Sequence, residues 1–255
     1  SVNQMTRTSG DRIVLAPCCG KVLTTPSYSS VNLTANERWT DGKVVGGLFN
    51  NGGGLRLCEC GEVFLLSDAK QVGITPKEKP PAPSDWERKS AAWWHRLWGF
   101  PTREQIIKDY DTRSLEEIEA AKKNKPPTAK HIQDDQLQNL LVKKHKPAIK
   151  LRLRRLYWRY LNDNYRAAIN TSKSAEQPVF RPTAAQTENM RKLATLIESG
   201  DDLDVLELVE LYRELGDFEK AQTLLPLLTA DYEVEIKLQT RLIAERNQAP
   251  TLIKW

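Results

Sequence analysis

No stretch of this chain approaches the roughly 20 consecutive apolar residues that a membrane-spanning helix needs. Its opening residues, SVNQMTRTSGDR, hold no apolar core of a secretory signal, so a cytoplasmic location is the expectation. Histidine is scarce: His95, His131 and His145 lie in unrelated segments, none near a cysteine or carboxylate at a telling spacing. Gly-x-Ser-x-Gly, His-Glu-x-x-His and Walker sequences are all missing, so no catalytic residue is nominated and an enzyme is not the favoured reading. The nucleic-acid motifs are missing too: no helix-turn-helix signature, no RNP motif, no zinc-finger histidines. What is present is ordinary for a soluble chain, with 255 residues, 40% apolar and 28% charged. That length is enough for two domains with real cores.

Only four cysteines occur, in two clusters: APCCGKVL contains Cys18 and Cys19, and LCECGEVF contains Cys58 and Cys60. A reducing compartment disfavours structural disulfides, so clustered cysteines there are more often metal ligands or reactive thiols. Four thiolates in two groups suit a tetrahedral zinc, with each Zn–S bond about 2.3 Å. A glycine follows each pair, as a tight knuckle with positive φ requires. The flanks, RIVLA, KVLTT, LRL and EVFLL, read as short strands. Two hairpins with a cysteine pair at each turn make a zinc ribbon. A ribbon without metal and a disulfide or redox role for the same thiols remain open alternatives. Such a ribbon is too small to be stable by burial alone, so a structural metal, one zinc per chain, would help it fold. The glycine-rich VGGLFNNGGG between the knuckles lacks the Gly-Lys-Ser/Thr ending of a phosphate loop and reads as a long hairpin tip.

On APCCG, WTDGKVVGG and LCECGEVF the chain resembles an uncharacterised group of bacterial zinc-ribbon proteins with CPxCG knuckles. Two further stretches, RLYWRYLNDNYR and YRELG, are similar to later parts of that group. The resemblance implies a zinc-binding ribbon followed by helices. Aligned on the glycines, Ala16 and Leu57 stand where the group has the first cysteine of each knuckle, and only Cys19 and Cys60 match directly. Cys18 and Cys58 are displaced.

After ITPKEKPPAPSD, a Pro-rich linker, Trp86, Trp93, Trp94 and Leu97 fall on one helical stripe that Gly99 and Pro101 terminate. Such a stripe docks on another domain, fills a partner's groove or lies on a membrane surface. Thr102–Gln105 and Ser114–Glu117 have capping-box spacing, and AKKNKPPTAK reads as a basic linker. Pro147 can open a long helix. In it Ile149, Leu153, Leu156 and Tyr160 share one face, and Arg152, Arg155, Arg159 and Arg166 line a flank. Leu151 and Trp158 point nearly the other way, so apolar residues on two faces imply burial between neighbours. Residues 121–166 carry thirteen Lys/Arg against three acids, whereas 183–245 carry fourteen acids against six bases. The two halves either complement each other or leave a basic surface for nucleic acid.

The C-terminal part reads as three helices, with Asp201, Asp202 and Asp204 at a helix start. Leu208, Tyr212, Gly216, Phe218, Ala221 and Leu225 resemble the packing positions of a tetratricopeptide hairpin, about 203–229. Only one copy is visible, so the resemblance implies a helix–turn–helix unit and not a solenoid.

The sequence thus predicts an α+β chain: a small antiparallel β zinc ribbon over 1–74, a Pro-rich linker with Trp-rich docking helices over 75–130, and an all-α domain over 131–255. The function expected is that of a non-catalytic interaction or adaptor protein that binds another protein. The alternative is a nucleic-acid-binding accessory factor that uses the basic helix around 143–166, with Lys143, Lys144, Arg152, Arg155, Arg159 and Arg166 as its contacts. The metal ligands expected are Cys18, Cys19, Cys58 and Cys60. The partner, the pathway and the oligomeric state are not legible in the sequence.

Overall fold

A computed structural model describes residues 7–30, 36–46, 54–74, 123, 126–171, 178–200 and 203–253. The tryptophan stripe, the two capping boxes at 102–117 and most of the glycine-rich tip lie outside them. Among the described residues, small antiparallel sheets occupy the N-terminal region and six α-helices the C-terminal part, an α+β layout. The chain divides into two compact units, Ser1–Val31 with Cys58–Lys130, and Asn32–Leu57 with His131–Trp255. Residues 32–57, between the cysteine clusters in sequence, thus belong to the second unit. The strands are β1 (Arg7–Leu15), β2 (Val22–Ser30), β3 (Glu37–Arg38), β4 (Val44–Val45), β5 (Leu55–Leu57), β6 (Val63–Leu65) and β7 (Lys70–Ile74).

In the first unit β1 pairs antiparallel with β2 and, on its other edge, with β7. Val14 and Leu23 face each other in the first ladder. With Ala16, Cys58, Phe64 and Ala129 they form a small apolar core. The end of the basic linker runs parallel beside β2: the Thr24 amide donates to Pro127 O and the Ala129 amide to Thr24 O, both at 2.8 Å. This satisfies the backbone of Thr24, which is fully buried and would be costly to leave unpaired. A third edge of pairing is something the sequence did not announce, because PPTAK has no strand periodicity.

In the second unit the helices are α1 (Leu137–Leu141), α2 (Pro147–Thr171), α3 (Ala184–Glu198), α4 (Val205–Glu214), α5 (Phe218–Leu224) and α6 (Glu233–Ala244). Pro147 opens α2 as its fixed φ favours. Thr183 and Gln186 exchange bonds in a capping box at the start of α3. Asp204 and Asp217 accept from the amides of Glu207 and Lys220 and cap α4 and α5. Met190, Leu193, Ala194 and Ile197 bring one face of α3 against Leu208, Val209 and Leu211 of α4, with Ala221, Ile243 and Trp158 closing the core. Each large apolar side chain buried there contributes about 1.5–3 kcal/mol relative to exposure. The helix–turn–helix expected around Gly216 is α4 and α5, and Phe218 and Leu225 pack against this core. Pro226 draws the end of α5 into a 3₁₀ turn, Leu225–Leu227.

The inner face of α2 differs from its expected apolar stripe. Ile149 and Leu153 of that stripe are buried, but Tyr160 is exposed, and the buried positions continue through Arg154, Trp158, Asn162 and Arg166. Trp158, Asn162 and Arg166 are four apart and share one face. Trp158 packs in the apolar core, whereas Asn162 and Arg166 are buried because polar partners await them, which an apolar-periodicity count does not register.

Candidate metal centre

Two tight turns build the sulfur cluster. In the first, the Ala16 amide donates to Lys21 O at 2.9 Å and the Gly20 amide returns to Ala16 O at 2.8 Å. In the second, the Cys58 amide donates to Glu62 O and the Gly61 amide to Cys58 O, both at 2.9 Å. Gly20 (φ 69°) and Gly61 (φ 86°) are left-handed, where a Cβ would add strain. The first turn closes one residue later than the second. In this longer turn Ala16 is packed into the apolar core, where the resemblance implies a ligand, while Cys18, two residues on, reaches the cluster.

Cys18 Sγ lies 3.5 Å from Cys60 Sγ, Cys19 Sγ lies 3.5 Å from Cys58 Sγ, and Cys18 and Cys19 are 3.9 Å apart. All four sulfurs lie within 4.8 Å of one another. A tetrahedral zinc with bonds of about 2.3 Å needs sulfurs about 3.8 Å apart, so the three measured separations bracket the required edge. All four thiols are free. The donor set therefore fits a four-coordinate thiophilic metal, and S₄ in a tetrahedron suits zinc or iron.

The electrostatics depend on burial and on a cross-turn ion pair. Desolvation pushes the Cys18 and Cys58 thiols up, because burial disfavours thiolate. The backbone hydrogen bond at Glu62, helped by the neighbouring thiols, holds Cys60 down at about 7. Lys21, directly after the first knuckle, pairs with Glu59 between the two cysteines of the second. The pair raises Lys21 and lowers Glu59. It joins the two turns beside four groups that must all lose protons to bind a metal. Cys58 is buried, whereas Cys18, Cys19 and Cys60 are exposed.

The other nominated residues lie in the second unit, and Arg155, Arg159 and Arg166 face inward partners. Arg155 holds Glu207 through a two-pronged bond, with Nε 2.8 Å from both carboxylate oxygens. Arg159 donates from Nε to Asp41 O at 3.0 Å. Arg166 pairs with Asp41, donates to Asp163 at 2.6 Å and lies 5.1 Å over the Trp39 ring. Lys143 and Lys144 are exposed in the loop before α2, and Arg152 is half-buried.

These arginines border a polar core that sequence reading missed. Asp41, Asn162, Glu210, Arg213, Glu214 and Gln239 are all buried. Asn162 Nδ2 donates to Asp41 at 3.1 Å and to Glu214 at 3.1–3.2 Å, and Trp158 Nε1 donates to Glu214 at 2.7 Å. Arg213 pairs with Glu210 at 2.6 Å and donates to Gln239 at 3.0 Å. Thr40 and Gln239 also donate to Glu210, at 2.5 and 2.6 Å. Burial works against ionisation of both glutamates. Arg213, with Thr40 and Gln239, outweighs it and lowers Glu210. For Glu214, burial together with the Glu210 and Asp41 charges raises the carboxyl well above its ordinary range. The signal available beforehand was the acids of WTDGK and YRELG, with the amides and arginines that RLYWRYLNDNYR carries at helical spacing.

A comparison with protein-family models, curated proteins and solved structures finds no match for this chain.

Proposed function

We propose that this chain is a non-catalytic adaptor whose first unit is a zinc ribbon, with one structural zinc held by Cys18, Cys19, Cys58 and Cys60. The observation that carries this reading is the convergence of four thiols from two separate turns at near-tetrahedral spacing. Four protein thiolates fill a tetrahedral zinc and leave no position for substrate, the mark of a structural site. Among the described residues no helix is long and apolar enough to cross a membrane. The helical unit offers a partner protein the stretch after α5, where Leu227, Tyr232 and Val234 are exposed among Asp231 and Glu233. Apolar side chains rimmed by charge are the usual make-up of such a surface.

A second reading, a nucleic-acid accessory factor, rests on exposed Lys143, Lys144 and Lys146 before α2. Arg155, Arg159 and Arg166 have inward partners and weaken it. Elemental analysis of the purified chain tests the metal, with one zinc per chain expected. Pull-down with nuclease treatment and a salt titration separates the partners. A partner protein retained through nuclease treatment supports the adaptor. Co-purifying RNA or DNA lost steeply with salt supports the alternative.

A further inference from the structure

We propose that the sulfur cluster is also a modification site for hydrogen peroxide, at which oxidation exchanges the metal for two disulfides, Cys18–Cys60 and Cys19–Cys58. The proposal rests on the zinc reading for the metal released, and on sulfur geometry alone for the pairing. Cys18 and Cys60 are both exposed and lie 3.5 Å apart, so an oxidant in solvent reaches that pair first. Cys58 is buried, but its sulfur lies 3.5 Å from that of exposed Cys19. Bridging the neighbours Cys18 and Cys19, 3.9 Å apart, would close a small ring around a planar trans peptide. Both favoured pairs run between the two turns.

The chemistry balances with hydrogen peroxide as the only oxidant. A thiolate attacks the peroxide: the S–O bond forms, the O–O bond breaks, and the leaving hydroxide takes a proton to become water. The facing thiolate then attacks the sulfenic sulfur: the S–S bond forms, the S–O bond breaks, and a second water leaves with a second proton. Each disulfide consumes one peroxide and two protons. Four thiolates with two peroxides and four protons give two disulfides, four waters and a free Zn²⁺. Because both bonds link one turn to the other, the turns stay joined after the metal has gone. Oxidation thus removes the anionic metal–thiolate centre and keeps the unit pinned. Thiol reductants reverse it by exchange.

The test loads the full chain with zinc and titrates it with hydrogen peroxide. A chromophoric chelator follows the metal, and mass spectrometry of non-reduced peptides maps the bonds. Expected are one zinc released per two peroxides, Cys18–Cys60 and Cys19–Cys58 as the products, and full zinc uptake after dithiothreitol. Zinc retained at about tenfold excess peroxide, a Cys18–Cys19 bond, or sulfinic acid as the main product overturns the proposal. The same mapping on the reduced, metal-free chain separates the two claims. A chain that takes up no zinc but forms both bonds refutes only the metal reading. A chain that holds zinc but never forms these bonds refutes only the modification site.

Discussion

Asp41→Asn removes one negative charge from a site where the side chain is fully shielded from solvent. The carboxylate pairs with Arg166, itself 6% exposed, and accepts from Asn162 at 3.1 Å. Asparagine keeps the shape, but its amide nitrogen then faces donors. Breaking a buried ion pair by removing one partner costs about 3–5 kcal/mol, because the remaining charge is left buried. Arg166 keeps Asp163 at 2.6 Å and the Trp39 face at 5.1 Å. The lower end applies, about 3 kcal/mol, or a fall in Tm of roughly 6–12 °C for a unit of this size. Urea unfolding followed by far-ultraviolet circular dichroism reads the second unit, since all the described α-helices with two or more turns belong to it. The double variant Asp41→Asn/Arg166→Met should lose clearly less than the sum of the single losses. A single-variant loss below about 1 kcal/mol at unchanged m, as for an exposed pair, would show that this pair does not hold the WTDGK turn on α2.

Glu214→Gln should flatten the pH dependence of stability. The folded carboxyl keeps its proton where the unfolded one, near pKa 4.3, has lost it, so wild-type stability falls as pH rises above that value until the folded group ionises. Unfolding midpoints across pH check the slope, and an unchanged slope rejects a protonated Glu214. Glu210 works in the opposite sense: its lowered pKa gives stability that is lost as pH falls through the acid range, and Glu210→Gln should remove that loss. Cys58→Ser should abolish stoichiometric zinc in elemental analysis, and chelation of the wild type should expose the first unit to protease. Leu193→Ala, at a fully buried core position, should cost about 2–5 kcal/mol by urea unfolding.

The pieces legible in the sequence were those with local causes. Pro147, the turn at Gly216 and the strands around CC and CEC all follow from backbone preference and short-range pattern. The cysteine cluster was legible because cysteines are few and each pair sits before a glycine. What escaped was non-local. The pairing of Thr24 with residues 127–129 depends on a return of the chain across about a hundred positions. The buried face of α2 at Asn162 and Arg166 escaped because polar residues are ordinarily counted outward. The membership of residues 32–57 in the second unit escaped because knuckle spacing suggests a continuous ribbon.

The charge asymmetry of the chain has a structural outlet that bears on function. Arg155 from the basic stretch grips Glu207 from the acidic one, while Trp158 and Asn162 reach Glu214 and Arg213 answers Glu210. Much of what reads as a basic helix followed by acidic helices is therefore one set of internal partners. WTDGK, the Asn-Asp helix and YRELG, stretches that carry the family resemblance in the sequence, meet in that set through Asp41, Asn162 and Glu214. Buried ion pairs of this kind add little net stability over an apolar core, but removing one partner is severe. Their effect here is to fix which turn sits on which helix. A double Asp41→Leu/Arg166→Met variant separates the two roles. It should unfold within about 1–2 kcal/mol of wild type, yet show broader amide dispersion changes at Thr40–Lys43 than either a core or a surface substitution. A variant that keeps wild-type amide shifts there would mean that backbone pairing alone, Thr40 with Thr251 and Ile253 with Arg38, positions the turn.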